Sequence, residues 1–242
     1  MQYLIISDIH ANYVALSTVL TDAPEFDKIL CLGDLVGYGP SPNRCIDRMR
    51  EYEHINLAGN HDWATLGKLD LRAFNQDARQ ANLWTRSNLT PESRRYLSSL
   101  LTRQEVESFT LVHASPREPV WEYILDSHVA CVNFDHFSTP ICLVGHTHVP
   151  TVFELDQTED RCEPVRVGLE EPLSLESRRL IINPGSVGQP RDGDPRASYA
   201  MLDTAAMTFT FRRVAYSIEI TQERMRARGL PSRLIDRLAA GR

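Results

Sequence analysis

The chain has 242 residues, with 26 Lys and Arg against 32 Asp and Glu, a formal charge of −6 with histidine neutral, 42% hydrophobic and 24% charged residues. Such proportions belong to globular proteins and exclude disordered and fibrous classes, and the acidic balance predicts no stable nucleic-acid binding, which needs cations to neutralise phosphates. No apolar run approaches the ~20 residues of a membrane helix, Asp8 comes too early for a signal peptide, and five scattered cysteines without a CxxC pair predict free thiols in a cytoplasmic protein.

Tyr3–Ile6 is a short apolar run suited to a strand covered on both faces. A helix follows with Val14, Leu16, Val19 and Leu20 on its inward side, then a strand at Lys28–Leu32, a helix over Asn43–Tyr52 and a third strand at His54–Ala58. Asp8, Asp34 and Asn60 are spaced one βαβ unit apart, which predicts that each lies just past the C-terminal end of its strand. Residues 63–107 turn polar and read as a helical insert, with Thr90-Pro91 a capped helix start. Ser108–Val112 and Ile141–Val144 read as strands. Beyond residue 150 the period becomes two, and Thr151–Leu155, Arg179–Ile182, Ser198–Leu202 and Thr208–Val214 predict a second, largely antiparallel sheet. The stretch Asp156–Glu176 reads as a loop with a strand at Val165–Val167, and 217–242, rich in arginine, as two short amphipathic helices packed on the body through Leu230, Leu234, Ile235 and Leu238. The whole of 1–242 is expected to form one domain.

Chemistry-bearing residues follow the apolar runs: Asp8-x-His10, Gly33-Asp34, Gly59-Asn60-His61-Asp62, His113 and Gly145-His146-x-His148. In an open α/β sheet such strand ends line one crevice. So many oxygen and nitrogen donors brought together leave buried polar groups unsatisfied unless cations fill the space. A mixed carboxylate and imidazole set favours Mn, Fe, Co, Ni or Zn over Ca or Mg. Taken singly, each motif is as well explained by a turn or a cap; five in order on successive strand ends are not.

These five blocks resemble those of the calcineurin-like metallophosphoesterase superfamily, and Asn183-Pro184-Gly185-Ser186-Val187-Gly188 extends the likeness to its small bacterial and archaeal branch. The resemblance implies an α/β fold, a four-layer αββα sandwich of two mixed sheets flanked by helices, with a dinuclear metal site at the C-terminal strand ends. It also implies two divalent transition-metal ions, Mn, Fe, Ni, Co or Zn. Asp8, His10 and His148 would hold the first, Asn60, His113 and His146 the second, and Asp34 would bridge them. A hydroxide between the metals would attack a small phosphomonoester or phosphodiester, such as a nucleotide. His61 would contact the phosphate and protonate the leaving group, and Asp62 would orient His61 or, equally, cap a turn. Protein Ser/Thr phosphatases of the superfamily carry Asp-Arg where this chain has Gly37-Tyr38, and a tyrosine cannot clamp phosphate bidentately. Such a phosphatase, or a dinucleoside polyphosphate hydrolase, is the enzymatic alternative. A catalytically silent metal-binding scaffold is the other, against which the intact ligand set weighs. Candidate substrate contacts are Tyr38, otherwise a packed turn residue, and Arg117 and Arg191, each equally a surface ion pair; Trp63 and Trp84 are candidates to cap the crevice, with helix core packing the alternative.

Overall fold

The computed structural model describes residues 1–156, 158 and 161–242. Two six-stranded mixed sheets lie face to face between helices. The first runs in the order β3 (His54–Asn56), β2 (Lys28–Cys31), β1 (Gln2–Ile6), β11 (Ala197–Asp203), β12 (Thr208–Val214) and β9 (Pro172–Ser174). The second runs β4 (Arg103–Val106), β5 (Phe109–Val112), β6 (Ile141–Leu143), β10 (Leu180–Asn183), β7 (Thr151–Asp156) and β8 (Arg161–Pro164). β1, β2 and β3 are parallel to one another, as are β5, β6 and β10, and the remaining pairings are antiparallel.

Strand alternation sorts the apolar residues into layers. Tyr3 and Ile5 of β1 and Leu30 of β2 face Leu111, Ile141, Leu143, Leu180 and Ile182 of the opposite sheet. Their neighbours Leu4, Ile6, Ile29 and Cys31 face outward onto α1 (Tyr13–Asp22) and α2 (Pro42–Met49), through Leu16, Val19, Ile46 and Met49. On the far side Val112, Cys142 and Ile181 pack against Ala130 and Phe134 of α6 (Ser127–Phe134). Both faces of each central strand are thus dry, which is why they read as continuous apolar runs. Val14 is only half-buried, and Ala15 takes its place on the inward face of α1.

The four period-two strands do not form a sheet of their own. β11 and β12 extend the first sheet, with Leu4 opposite Met201, whereas β7 and β10 lie in the second beside β6. Period two reports which faces are covered and carries no information about the neighbour. The insert contains α3 (Asn60–Leu66), α4 (Gln76–Asn88) and α5 (Pro91–Ser99), the last capped by Thr90 as expected, but it closes on an edge strand, β4, paired antiparallel to β5. In the 156–176 stretch the strands are β8 and β9; Val165 and Val167 are not in one, and residues 157, 159 and 160 lie outside the described residues. Cys131 on α6 and Cys162 on β8 form a disulfide, with Cα atoms 5.4 Å apart, while Cys31, Cys45 and Cys142 are free and buried. The expectation of five free thiols is therefore corrected: residues 31 apart in sequence are made neighbours by the packing of α6 on β8.

The tail forms α7 (Ile218–Ala227) and α8 (Ser232–Ala240). Leu230, Leu234, Ile235 and Leu238 are all buried, against Ala78 and Ala81 of α4 and against Tyr38. Among the described residues no helix is long and apolar enough to cross a membrane.

Candidate metal centre

The C-terminal ends of β1, β2, β3, β5 and β6 deliver the five blocks to one rim. Asp8, Asp34 and Asn60 follow β1, β2 and β3 within four residues, His113 directly follows β5, and His146 and His148 follow β6. The backbone there is bent to purpose: Asp8, His10, Ala11, Asp34, Tyr38, His146 and His148 all adopt φ between 48° and 65°. Each such non-glycine residue costs on the order of 1–3 kcal/mol and persists where surrounding structure enforces it. At Gly33 the close approach is absolute, since a Cβ would lie 2.8 Å from His113 Nδ1 and 2.9 Å from the Gly59 nitrogen.

The Asn183–Gly188 loop stitches the rim together. Asn183 Nδ2 donates to the Gly145 carbonyl (2.6 Å), Ser186 Oγ to the Asp8 carbonyl (2.8 Å), and the Gly188 carbonyl accepts from Asn12 Nδ2 (3.0 Å). Asn12 Oδ1 in turn caps α1 at the Ala15 amide and accepts from Thr221 Oγ1 of α7.

The seven expected ligands converge, none more than 3% exposed. His148 Nε2 is 3.2 Å and His10 Nε2 3.7 Å from Asp8 Oδ1. His113 Nε2 is 3.2 Å from Asn60 Oδ1. Asp34 Oδ2 lies between the groups, 3.6 Å from His10 Nε2 and 3.5 Å from His113 Nε2. Asp8, His10 and His148 form one donor group able to hold a metal ion, and Asp34, His113 and His146 a second.

Hydrogen bonds behind the cluster decide which atoms face inward. His10, His113 and His148 each donate Nδ1–H to a backbone carbonyl, of Val36 (3.2 Å), Leu32 (2.9 Å) and Gln189 (2.6 Å), so each presents the Nε2 lone pair. His146 is reversed: its Nε2–H donates to the Trp121 carbonyl (3.2 Å), and Nδ1 is buried without a partner among the described residues. The carboxylates are divided likewise. Asp8 Oδ2 accepts the His146 amide and Asp34 Oδ1 the His61 amide, whereas Asp8 Oδ1 and Asp34 Oδ2 accept no hydrogen bond among the described residues. Burial drives His10 and His146 well below the ordinary imidazole range and lowers His148 to about 4, so these rings are neutral and their lone pairs available. Burial, with the charges of Asp62 and Asp8, pushes the Asp34 carboxyl well up. Lone pairs and carboxylate oxygens aimed at the same small space fit divalent cations, which alone satisfy all of them at once.

Around this core the expected auxiliaries separate. His61 is buried beside His10 (ring centroids 5.0 Å), and its Nδ1 pairs with Asn82 Oδ1 at 3.0 Å; burial lowers its pKa to about 3. Asn82, on α4, carried no motif. Asp62 serves the backbone: its oxygens accept the amides of Leu35 (3.3 Å), Val36 (3.1 Å) and Gly59 (2.9 Å), which is the turn-capping alternative. Tyr38 is a buried wall, its ring 4.6 Å from that of His10 and 4.2 Å from that of His61. Arg191 Nη2 reaches Gln189 Oε1 (3.0 Å) and the Tyr38 hydroxyl (3.5 Å), and its charge bears on His10, His61 and His148. Arg117 is held instead in an ion pair with Glu122. Trp63 lies under Lys68 and Trp84 packs against the α7–α8 cluster. The aromatic side chains in ring contact with the site's histidines, besides Tyr38, are Phe74, Trp121 and Tyr123, from loops without a motif; the signal in the sequence was two large aromatics, Trp121 and Tyr123, in a loop after the His113 block.

Residues 1–207 match the calcineurin-like phosphoesterase superfamily domain, a stretch that runs from β1 through β11. The chain is 36% identical to an uncharacterized protein of Methanocaldococcus jannaschii over 98% of its own length and 97% of the relative's. It is similar to the crystal structure of a metallophosphoesterase from Sphaerobacter thermophilus, 51% identical, TM-score 0.92, covering 100% of this chain and 99% of the other. A hypothetical protein from Pyrococcus horikoshii shares the fold at 19% identity and TM-score 0.80, covering 100% and 98% of the two chains. Because the likeness takes in both sheets and the rim on which they meet, the chain belongs to the calcineurin-like phosphoesterase superfamily, metal-dependent hydrolases of phosphoester bonds.

Proposed function

We propose that this enzyme hydrolyses small phosphomonoesters or phosphodiesters, nucleotides among them, at a dinuclear centre of divalent transition-metal ions. Asp8, His10 and His148 would hold one ion, Asn60, His113 and His146 the other, and Asp34 would bridge. The observation that carries the reading is Asp34 Oδ2, buried, without a hydrogen-bond donor among the described residues, and within 3.6 Å of a ring nitrogen on each side. When bound, such a pair of ions clamps phosphoryl oxygens and makes a nucleophile available from water near neutral pH.

The remaining work falls to the chain's own residues. Arg191 sits where an incoming phosphoryl oxygen can replace its contacts to Gln189 and Tyr38, and its guanidinium suits a planar, two-point hold. Tyr38 packs against the rings of both His10 and His61 and keeps water from them. His61 has its Nδ1–H fixed on the amide oxygen of Asn82, which leaves Nε2 as a lone pair; in this reading the ring takes up a proton at Nε2 from solvent when the anionic phosphoester settles beside it, and passes that proton to the leaving oxygen. Asp62 acts at one remove, by holding the turn that presents Asp34. Without an arginine at position 38 the phosphoprotein reading lacks its clamp.

The test combines metal content with turnover of p-nitrophenyl phosphate, bis-p-nitrophenyl phosphate and a phosphoserine peptide. Two ions per chain and hydrolysis of a small ester are expected. Two ions with turnover of the peptide alone, or of nothing, would overturn the proposal.

A further inference from the structure

Three aromatic side chains surround the mouth of the metal-binding cluster. The Tyr123 ring lies 3.9 Å from that of His146, at an interplanar angle of 31°, yet the residue is 43% exposed. Trp121, 37% exposed, has its ring 6.5 Å from His146 and 4.9 Å, edge to face, from Phe74. Phe74 comes from the turn before α4 and lies 5.2 Å from the His61 ring. The three rings therefore run from a ligand histidine on one side of the cluster to His61 on the other.

The loop that presents two of them is firmly held. Glu122, between Trp121 and Tyr123, accepts from Ser115 Oγ (2.7 Å) and Asn133 Nδ2 (2.8 Å) and pairs with Arg117, while the Trp121 carbonyl accepts a hydrogen bond from His146 Nε2–H. Large rings held open to water on a fixed loop are preorganised for a ligand, since little entropy is left to lose when a flat partner settles on them. Past Phe74 the surface opens into a cleft of about 670 Å³, lined by Phe74, Leu83, Gln76, Gln80, Arg72 and Arg79. That lining offers an apolar floor with amide and guanidinium donors at its edge, which suits a heteroaromatic ring and suits a bare sugar or an alkyl chain poorly.

We propose that Trp121, Tyr123 and Phe74 form a stacking subsite for the base of a nucleoside phosphoester, so that the site selects nucleotides over sugar phosphates and phosphopeptides. The proposal rests on the phosphoesterase reading above and narrows it. Base stacking on an aromatic side chain corresponds to roughly ten- to hundred-fold in affinity.

The test uses two substrates with one leaving group: thymidine 5′-monophosphate p-nitrophenyl ester and methyl p-nitrophenyl phosphate. For phosphomonoesters, adenosine 5′-monophosphate is set against ribose 5-phosphate. The wild type should favour the nucleoside member in kcat/KM by about ten- to hundred-fold, Trp121→Ala should collapse that ratio toward one, and Trp121→Phe should restore part of it. Equal kcat/KM for both members in the wild type, or an equal loss on both in Trp121→Ala, would overturn the subsite while leaving the phosphoesterase intact. If neither pair is hydrolysed, turnover of p-nitrophenyl phosphate and bis-p-nitrophenyl phosphate decides whether the phosphoesterase reading itself fails. The subsite is then decided by binding: adenosine 5′-monophosphate should quench tryptophan fluorescence in the wild type and not in Trp121→Phe, and equal responses would overturn it.

Discussion

His10 Nε2 and His148 Nε2 face each other at 3.0 Å, although each ring has already committed its Nδ1 proton to a backbone carbonyl. Two lone pairs at that distance repel, Asp8 adds negative charge beside them, and Asp34 Oδ2 lies 3.6 Å from His10 Nε2. A cation between them reverses every one of these terms. Divalent metal should therefore raise the melting temperature and a chelator lower it, by about 2.7 kcal/mol of stability at a hundredfold excess over Kd. Scanning calorimetry with Mn²⁺, Zn²⁺ and EDTA checks this; a melting temperature indifferent to all three would refute the fit.

Among the described residues, Asp34 is the one carboxylate within 4 Å of a histidine ring nitrogen of each donor group. Asp34→Asn keeps the shape and removes the charge shared by two cations. Turnover should be abolished and metal content should fall below two per chain on both sides of the centre. Elemental analysis of the dialysed variant decides it: two ions retained with near-native turnover would show that Asp34 is not the bridge.

The rim was legible in the sequence because strand ends are where apolar runs stop, and each block followed such a run. Asp8, Asp34 and Asn60 could be placed by counting residues per βαβ unit. What could not be read were long-range partners. The pairing of β11 with β1 joins residues about two hundred positions apart, and alternation along Ala197–Asp203 fits either sheet. Asp62 shows the same limit at the site: the Asn-His-Asp triplet says nothing of whether the carboxylate turns toward the ring beside it or toward the amides of Leu35 and Val36. Asn82 lies 21 positions from His61 and touches it only because α4 packs on α3. Cys131 and Cys162 became a pair for a similar reason.

That pair has a direct consequence. Thiol titration of denatured, unreduced protein should find three free cysteines, Cys31, Cys45 and Cys142. Reduction should lower stability by roughly 3–4 kcal/mol, the cost of releasing a loop of this size in the unfolded chain. Five titratable thiols would remove the crosslink between α6 and β8.

Glu122 holds the loop that supports both His146 and Trp121. Its carboxyl is raised by burial, but the bonds from Arg117, Asn133 and Ser115 outweigh this and lower it to about 2 from an ordinary 4.5. A depressed carboxyl stabilises the fold above its unfolded pKa and loses that contribution as pH falls through the folded one. Wild type should thus be more stable than Glu122→Gln at pH 7, with the gap closing between about pH 4.5 and pH 2. Urea titrations of both proteins across that window measure it. A gap that stays constant with pH would mean that the charge of Glu122 is not what secures the loop.

His61 lies next to Asn60 in sequence, yet its ring points to a different task. Its Nδ1–H is held by Asn82 Oδ1 and its backbone amide by Asp34 Oδ1, so among the described residues Nε2 is the ring nitrogen left for a substrate. If Nε2 serves the leaving oxygen, His61→Ala should keep two metals per chain and lose on the order of 10²–10⁴-fold in turnover. The deficit should shrink for nitrophenolate, which departs without a proton, and stay large for an alkoxide. Asn82→Ala should show the same leaving-group dependence at smaller amplitude, because it frees the ring to turn without removing it. A histidine that only held phosphate would cost both substrates alike when removed. Loss of metal in His61→Ala would instead make it a ligand, and Asn60 would then lose its place beside His113.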